Sequence, residues 1–244
     1  MKREMITRAE ARMAEGWPAA ERLVCDGWTC QLDAGVTRRA NSVLPLTWQG
    51  GDPEAAITRA ETLYRGRGLR PIFKISPVTQ PADLDARLAQ RGYREEGQAL
   101  VLGRPLAGAE AEPQRPVRLD RNATKVWSEI CHGGGPERAV REAIVGRISR
   151  PCIFAVAEVG GEAAAAGLGV VLEDLLLITA LVTRPAQRRR GAARAIIAAL
   201  VSAAAERGVR DLILQVEADN PPAQALYAGL GWSELYAYAY RSLL

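Results

Sequence analysis

The 244-residue chain is 48% hydrophobic and 25% charged, an ordinary globular balance with enough length for one large domain or two small ones. Its formal net charge of +4 admits an anionic small molecule but argues against a nucleic-acid binder, because the basic residues are dispersed among acids. Four cysteines without a CxxC pair and one histidine argue against a zinc site and for a reduced, cytoplasmic protein. The N-terminal segment is charged and lacks the apolar core of a secretory signal. The longest apolar runs, 163–172 and 175–183, are separated by Glu173 and Asp174 and are too short to span a bilayer.

In chain order, the spacing predicts a helix over Ala55–Gly66, a strand over Pro71–Ile75, a helical segment from Leu84 to the Gly92-Tyr93 turn, and a short alternating strand over Gln98–Leu102. Residues 105–115 are rich in Pro, Ala and Glu, lack periodicity and read as a linker between domains at 1–104 and 116–244. A strand near Val117–Leu119 follows, then helices near Ala123–Ile130 and Glu137–Ile148. Three strands come next, Cys152–Glu158, Ala164–Leu172 and Leu175–Val182, joined by turns at Gly160-Gly161 and Glu173-Asp174. A helix over Ala192–Arg207, a strand over Asp211–Glu217, a short helix and a last strand over Ala237–Arg241 complete an α/β chain with a mixed sheet.

The segments on either side of the linker repeat each other. Pro45, Gly51 and Gly68 are matched by Pro185, Gly191 and Gly208 at a constant separation of 140 residues. The helices between the glycines and the strands after them also correspond, as do the Gly92-Tyr93 and Gly231-Trp232 turns, at 139. This order points to duplication.

Arg188-Arg189-Arg190-Gly191-Ala192-Ala193 lies between an apolar strand and an alanine-rich helix. A helix start offers unpaired amides and partial positive charge, and glycine lets a ligand approach the backbone. The segment therefore reads as an anion cradle with three added arginine charges. The equivalent N-terminal positions are Trp48, Gln49, Gly50, Gly51, Asp52 and Pro53. Asp52 is a natural N-cap whose carboxylate would take the amide hydrogens a phosphate needs, and Pro53 removes a donor. The N-terminal half is accordingly expected not to bind a phosphate ligand in this way.

The cradle resembles the Gln/Arg-x-x-Gly-x-Gly/Ala signature of the GNAT superfamily of acyl-CoA-dependent N-acyltransferases. A second stretch, Asn220-Pro221-Pro222-Ala223-Gln224-Ala225-Leu226-Tyr227 through Gly231-Trp232, is similar to that family's Asn-x-x-Ala-x-x-Leu-Tyr-x-x-x-Gly-Phe pattern, with Trp232 as the aromatic. Together the motifs cover roughly residues 116–244, and the N-terminal half, including Gly35–Leu46, also resembles a GNAT unit of tandem proteins. The resemblance implies two tandem GNAT-like domains, the first degenerate. It implies acetyl-CoA as co-substrate, with pantetheine along Leu181, Val182 and Thr183 and pyrophosphate on the amides of Arg189, Arg190, Gly191, Ala192 and Ala193 beside Arg188. No metal is implied.

By the same resemblance, Tyr227 is a candidate to protonate the departing thiolate; the alternative is an amphipathic side chain packed with Leu226 and Leu230. Asn220 is a helix N-cap and a candidate CoA contact. Glu217, at the end of its strand, is the leading candidate base, or else simply a solvated charge, with Glu158 and Glu173 behind it. His132 reads as an exposed loop residue or a titrating base. The expected function is transfer of acetyl from acetyl-CoA to a primary amine of a small molecule or peptide by direct attack in a ternary complex. The alternative is a non-catalytic acyl-CoA sensor. The chain is expected to act as a monomer or homodimer, without nucleic acid or membrane, its acceptor pocket roofed by the N-terminal half.

Overall fold

A computed structural model describes residues 2–106 and 112–243. Helix α1 (Arg3–Glu15) buries Ile6, Glu10 and Met13, a stripe at i, i+4 and i+7. A hairpin follows, β1 (Glu21–Cys25) and β2 (Trp28–Leu32), turned by Asp26 and Gly27 at φ 55° and 91°. None of these three elements is among the predicted ones. Then come β3 (Val43–Leu44), α2 (Pro53–Arg65), β4 (Ile72–Ile75), α3 (Leu84–Gln90) and β5 (Arg94–Pro105).

The second half contains β6 (Val117–Asp120), α4 (Lys125–His132), α5 (Glu137–Gly146), β7 (Cys152–Val159), β8 (Glu162–Leu172) and β9 (Leu175–Thr183). It ends with α6 (Ala192–Ala205), β10 (Asp211–Glu217), α7 (Pro221–Ala228) and β11 (Ser233–Ser242). Each predicted helix and strand recurs, β10 with its predicted ends and the others with shifted ones. The largest extensions are β5, seven residues longer than the Gln98–Leu102 core that was predicted, and β11, five longer than Ala237–Arg241. Of the predicted linker, Pro105 closes β5, Leu106 N donates to Arg210 O at 2.7 Å, and residues 107–111 lie outside the described residues.

The eleven strands of the described residues form one mixed sheet in the order β1-β2-β3-β4-β11-β5-β10-β9-β8-β7-β6. The final strand of each half lies against the other half. β5 runs antiparallel to β10 from Ala99↔Glu217 to Pro105↔Asp211, and β11 runs antiparallel to β4 from Ala239↔Ile75 to Ser242↔Ile72. β5 and β11 pair with each other at the centre. Among the described residues the sheet has two parallel contacts, β3 with β4, at Val43↔Phe73, and β9 with β10, from Leu175↔Asp211 to Ile178↔Leu214.

Alternation along β10 sends Ile213 to one face and Leu212, Leu214 and Val216 to the other. On the first face Ile6, Met13 and Trp17 join Trp127, Phe154 and Leu168 in one apolar cluster, so residues from both ends of the chain share a core. On the second, Ile196 and Leu200 of α6 cover Ala155, Ala165 and Leu176. Small residues let α6 lie close: a Cβ on Gly167 would sit 2.7 Å from Ile196 Cγ2. A third cluster holds α2 and α3 against the N-terminal strands around Trp28, Ile57 and Phe73.

Candidate functional site

The strand–turn–helix unit β9–α6 builds the predicted cradle. Gly191 occupies the N-cap of α6 at φ 82°, a left-handed backbone that glycine adopts without steric cost. Arg189 is also left-handed, at φ 61°. The first backbone bond of this turn runs from Ala195 N to Gly191 O at 3.0 Å. Among the described residues, no backbone acceptor takes the amides of Arg189 through Arg194, and no side chain caps the helix. Unpaired amides, the positive helix end and exposed arginines at 188–190 make this end of α6 complementary to an anion. Arg190 is partly engaged: Nη1 donates to Gln187 Oε1 at 2.5 Å, and its carbonyl accepts from Arg115 Nε at 2.6 Å.

The matching N-terminal turn is closed. Asp52 caps α2, its Oδ1 accepting from Glu54 N at 3.0 Å, and Pro53 takes the first helical position. The capping carboxylate puts negative charge where the other cradle offers free amides.

Beside the open cradle the sheet splits. β9 continues to Thr183 and β10 to Glu217, but their pairing stops at Ile178↔Leu214. β9 also bulges: Thr179 faces Leu168 and Val182 faces Ala166, leaving Ala180 and Leu181 opposite Gly167 alone. Ala180 sits at φ 49°, and its carbonyl accepts from Cys131 Sγ at 3.2 Å. A cleft of about 710 Å³ fills the gap, within the usual range for a small-molecule site. Leu181, Glu217, Asn220 and Tyr227 line it together. Val182 and Thr183 are half-buried at the end of β9 and, like residues 188–193, stand outside that lining.

Tyr227 is buried on α7, edge-on to Trp232 with ring centroids 6.1 Å apart. Burial pushes its phenol up to about 12, so it keeps its proton at neutral pH. No described residue hydrogen-bonds its hydroxyl. Asn220 caps α7, Oδ1 accepting from Ala223 N at 3.2 Å, which fills the structural half of its expected role. Glu217 is exposed, in no ion pair among the described residues, and its carbonyl accepts from Gln224 Nε2 at 3.2 Å.

Three weaker candidates fall elsewhere. Glu173 turns β8 into β9 and is ion-paired to Arg12 of α1, and Glu158 is exposed on β7; neither lines the cleft. His132 is not an exposed loop residue: it closes α4, half-buried and edge-on to Trp127 at 5.2 Å. Burial lowers its pKa, its Nε2 has no partner among the described residues, and it lines a separate cleft of about 850 Å³.

The N-terminal half supplies the opposite wall of the main cleft. Arg38, Arg39 and Asn41 come from the turn before β3, inside the Gly35–Leu46 stretch that resembles tandem proteins. Tyr238 and Tyr240 of β11 and Gln215 of β10 also line it, with Tyr238 Oη donating to Gln215 Oε1 at 2.6 Å. Tyr238 and Tyr240 carry no sequence signal for this role, because only strand exchange brings β11 to this position. Among the described residues no cluster of three or more His, Cys, Asp or Glu could hold a metal ion, and no helix is long and apolar enough to cross a membrane.

Comparison with known proteins bears on the family and the fold. The profile of the family described as "Probable histone acetyltransferase Rv0428c C-terminal" matches residues 4–241. The chain is 28% identical over 246 residues to the uncharacterized N-acetyltransferase YobR of Bacillus subtilis (strain 168), covering 97% of this chain and 98% of that one. In fold it is similar to a GCN5-related N-acetyltransferase from Kribbella flavida, with TM-score 0.72, 14% identity, and 97% and 94% of the two chains covered. It is also similar to a tandem GNAT protein from the clavulanic acid biosynthesis pathway, with TM-score 0.58, 16% identity, and 78% and 69% covered.

Proposed function

The chain belongs to the Rv0428c C-terminal family of GNAT-type acyltransferases, and from that membership we propose that it moves an acetyl group from acetyl-CoA to a primary amine by direct attack in a ternary complex. The observation that carries this reading is the uncapped start of α6 beside the split between β9 and β10. Free amides at residues 189–194 suit a pyrophosphate, and the unpaired edge of β9 at Leu181, Val182 and Thr183 suits an extended amide-bearing arm. We assign this work to residues 116–244, and read residues 1–104 as a degenerate GNAT-like unit that walls the acceptor side. Support comes from the Asp52 cap, the 140-residue repeat and the parallel contact that each half contains.

When bound, acetyl-CoA supplies an activated thioester. The rest of the work falls to the chain's own groups. The α6 amides with Arg188 bind and orient, so attack occurs from a held geometry. Glu217 accepts the proton of the incoming amine, directly or through water. Tyr227, protonated and without a protein partner for its hydroxyl among the described residues, holds a proton at Oη for the leaving sulfur. The bulge at Ala180–Leu181 frees backbone from the ladder on the cleft wall, where donors to a developing oxyanion are most effective.

The test combines heat stability with and without acetyl-CoA and an amine-library acetylation screen read by mass spectrometry. A stability gain with at least one acetylated amine supports the reading. Stability gain without turnover of any amine would favour an acyl-CoA sensor, and no gain would remove both.

A further inference from the structure

We infer that the acceptor amine carries an anionic group, a carboxylate or a phosphate, and that Arg39 binds it; this rests on the acetyltransferase reading above. Four arginines line the main cleft, from three separate parts of the fold: Arg38, Arg39, Arg70 and Arg141. Glu217 is the one carboxylate in that lining among the described residues. Arg38 and Arg70 reach Glu96, at 3.9 and 2.7 Å, and Arg141 reaches Glu137 at 2.8 Å. Arg39 differs from these, with no carboxylate partner among the described residues.

Arg39 is nonetheless held in place. Its guanidinium stacks 4.4 Å from the ring centroid of Trp17, and Nη1 donates to Thr179 Oγ1 at 3.0 Å. Thr179 stands where β9 begins to leave β10, so the cation is fixed at the mouth of the split. A guanidinium presents a rigid planar fork of N–H donors, and one such contact leaves most of them unused. The indole covers one face and keeps water from it, which strengthens any charge–charge contact made there.

A second unmet donor lies beside it. Tyr240 is buried and lines the same cleft, and its Oη, which interacts with Tyr238, has no partner at hydrogen-bond geometry among the described residues. Arg38 stacks over its ring at 5.3 Å. Burial keeps this phenol protonated, so it offers a hydrogen rather than a charge. A fixed guanidinium and a neutral O–H donor together fit a carboxylate or phosphate oxygen pair. They do not fit the ammonium-rich surroundings of a lysine tail, which would meet like charge on that wall.

The test is calorimetric titration of the full chain at low ionic strength, so that it does not depend on turnover. The probes are N-acetylated amino acids as free acids and as carboxamides, phosphoethanolamine beside ethanolamine, and a lysine-rich basic peptide. The expected result is that at least one free acid or the phosphate amine binds about ten-fold or more tightly than its neutral counterpart. Arg39→Gln should erase that preference while leaving acetyl-CoA affinity unchanged, and Arg39→Lys should restore part of it. With a turned-over acceptor, Arg39→Gln should raise KM and spare kcat. Preference for the acids but not the phosphate would name the anion, and the reverse likewise. Equal or tighter binding of neutral forms or the basic peptide, no binding of any anionic probe, or an Arg39→Gln loss shared equally by both forms would overturn the inference. Failure of acetyl-CoA to bind the wild-type chain would instead strike the acetyltransferase reading.

Discussion

Gly191 is where a single side chain has the largest effect. At φ 82° a β-carbon is strained, and Asp there would also reproduce the carboxylate that Asp52 places on α2. Gly191→Asp should therefore lower acetyl-CoA affinity by about 100-fold or more in calorimetry, at a stability cost of about 1–2 kcal/mol. Tyr227→Phe keeps the ring against Trp232 and removes only the hydroxyl proton. It should cut kcat by about 10- to 100-fold with little change in the KM for acetyl-CoA. Because burial lifts Tyr227 to about 12, the shape of the pH–rate profile between about pH 6 and 9 should survive the substitution. A titration lost from that window would show that the phenol ionises there after all. Sequence exposed the cradle and α7 residues because they sit on contiguous motifs. Arg39, Thr179 and Tyr240 lie far apart in sequence, and no local pattern announces that they meet.

At the scale of elements, α1 is tied to the β8–β9 turn. Arg12 Nη1 contacts Asp174 Oδ1 at 2.9 Å, Arg12 also pairs with Glu173, and Arg210 Nη2 reaches Asp174 Oδ2 at 2.8 Å. Hydrogen bonds from Arg210 and Arg12 hold the Asp174 carboxyl down to about 2. Its folded value is below the ordinary 3.8, so this stabilisation is present above about pH 4 and is lost as pH falls toward 2. Asp174→Asn should cost about 1 kcal/mol at neutral pH and flatten the stability loss between about pH 4 and 2, measured by denaturant titration. A wild-type slope there would break the assignment. Periodicity disclosed most helices and strands. It left α1 unassigned, since only Ile6 and Met13 of its buried stripe are apolar and Glu10 is a buried acid, partnered by Lys74 at 2.5 Å and by Tyr236 Oη at 2.8 Å. The bulge at Ala180 is likewise silent, because alanine carries no signal for a left-handed backbone.

Over the whole molecule, the terminal strands decide cooperativity. β5 and β11 sit between β4 and β10, and one apolar cluster draws on α1, α4 and both terminal strands. The chain should unfold in a single transition whose calorimetric and van't Hoff enthalpies agree; two resolved transitions would mean the halves are independent. Side-chain alternation tells which face of β5 or β11 is buried but not which strand lies beside it, so the exchange was not legible even though the repeat was. The proposed function requires one acyl-CoA site, at the start of α6 and not of α2. Calorimetric titration of acetyl-CoA distinguishes the two turns, with wild type beside Asp52→Ala and the double variant Arg188→Glu/Gly191→Asp. One site per chain is predicted, kept in Asp52→Ala, which loses only about 1 kcal/mol of stability with its cap, and abolished in the double variant. Two sites per chain, or binding that survives the double variant and fails in Asp52→Ala, would contradict it.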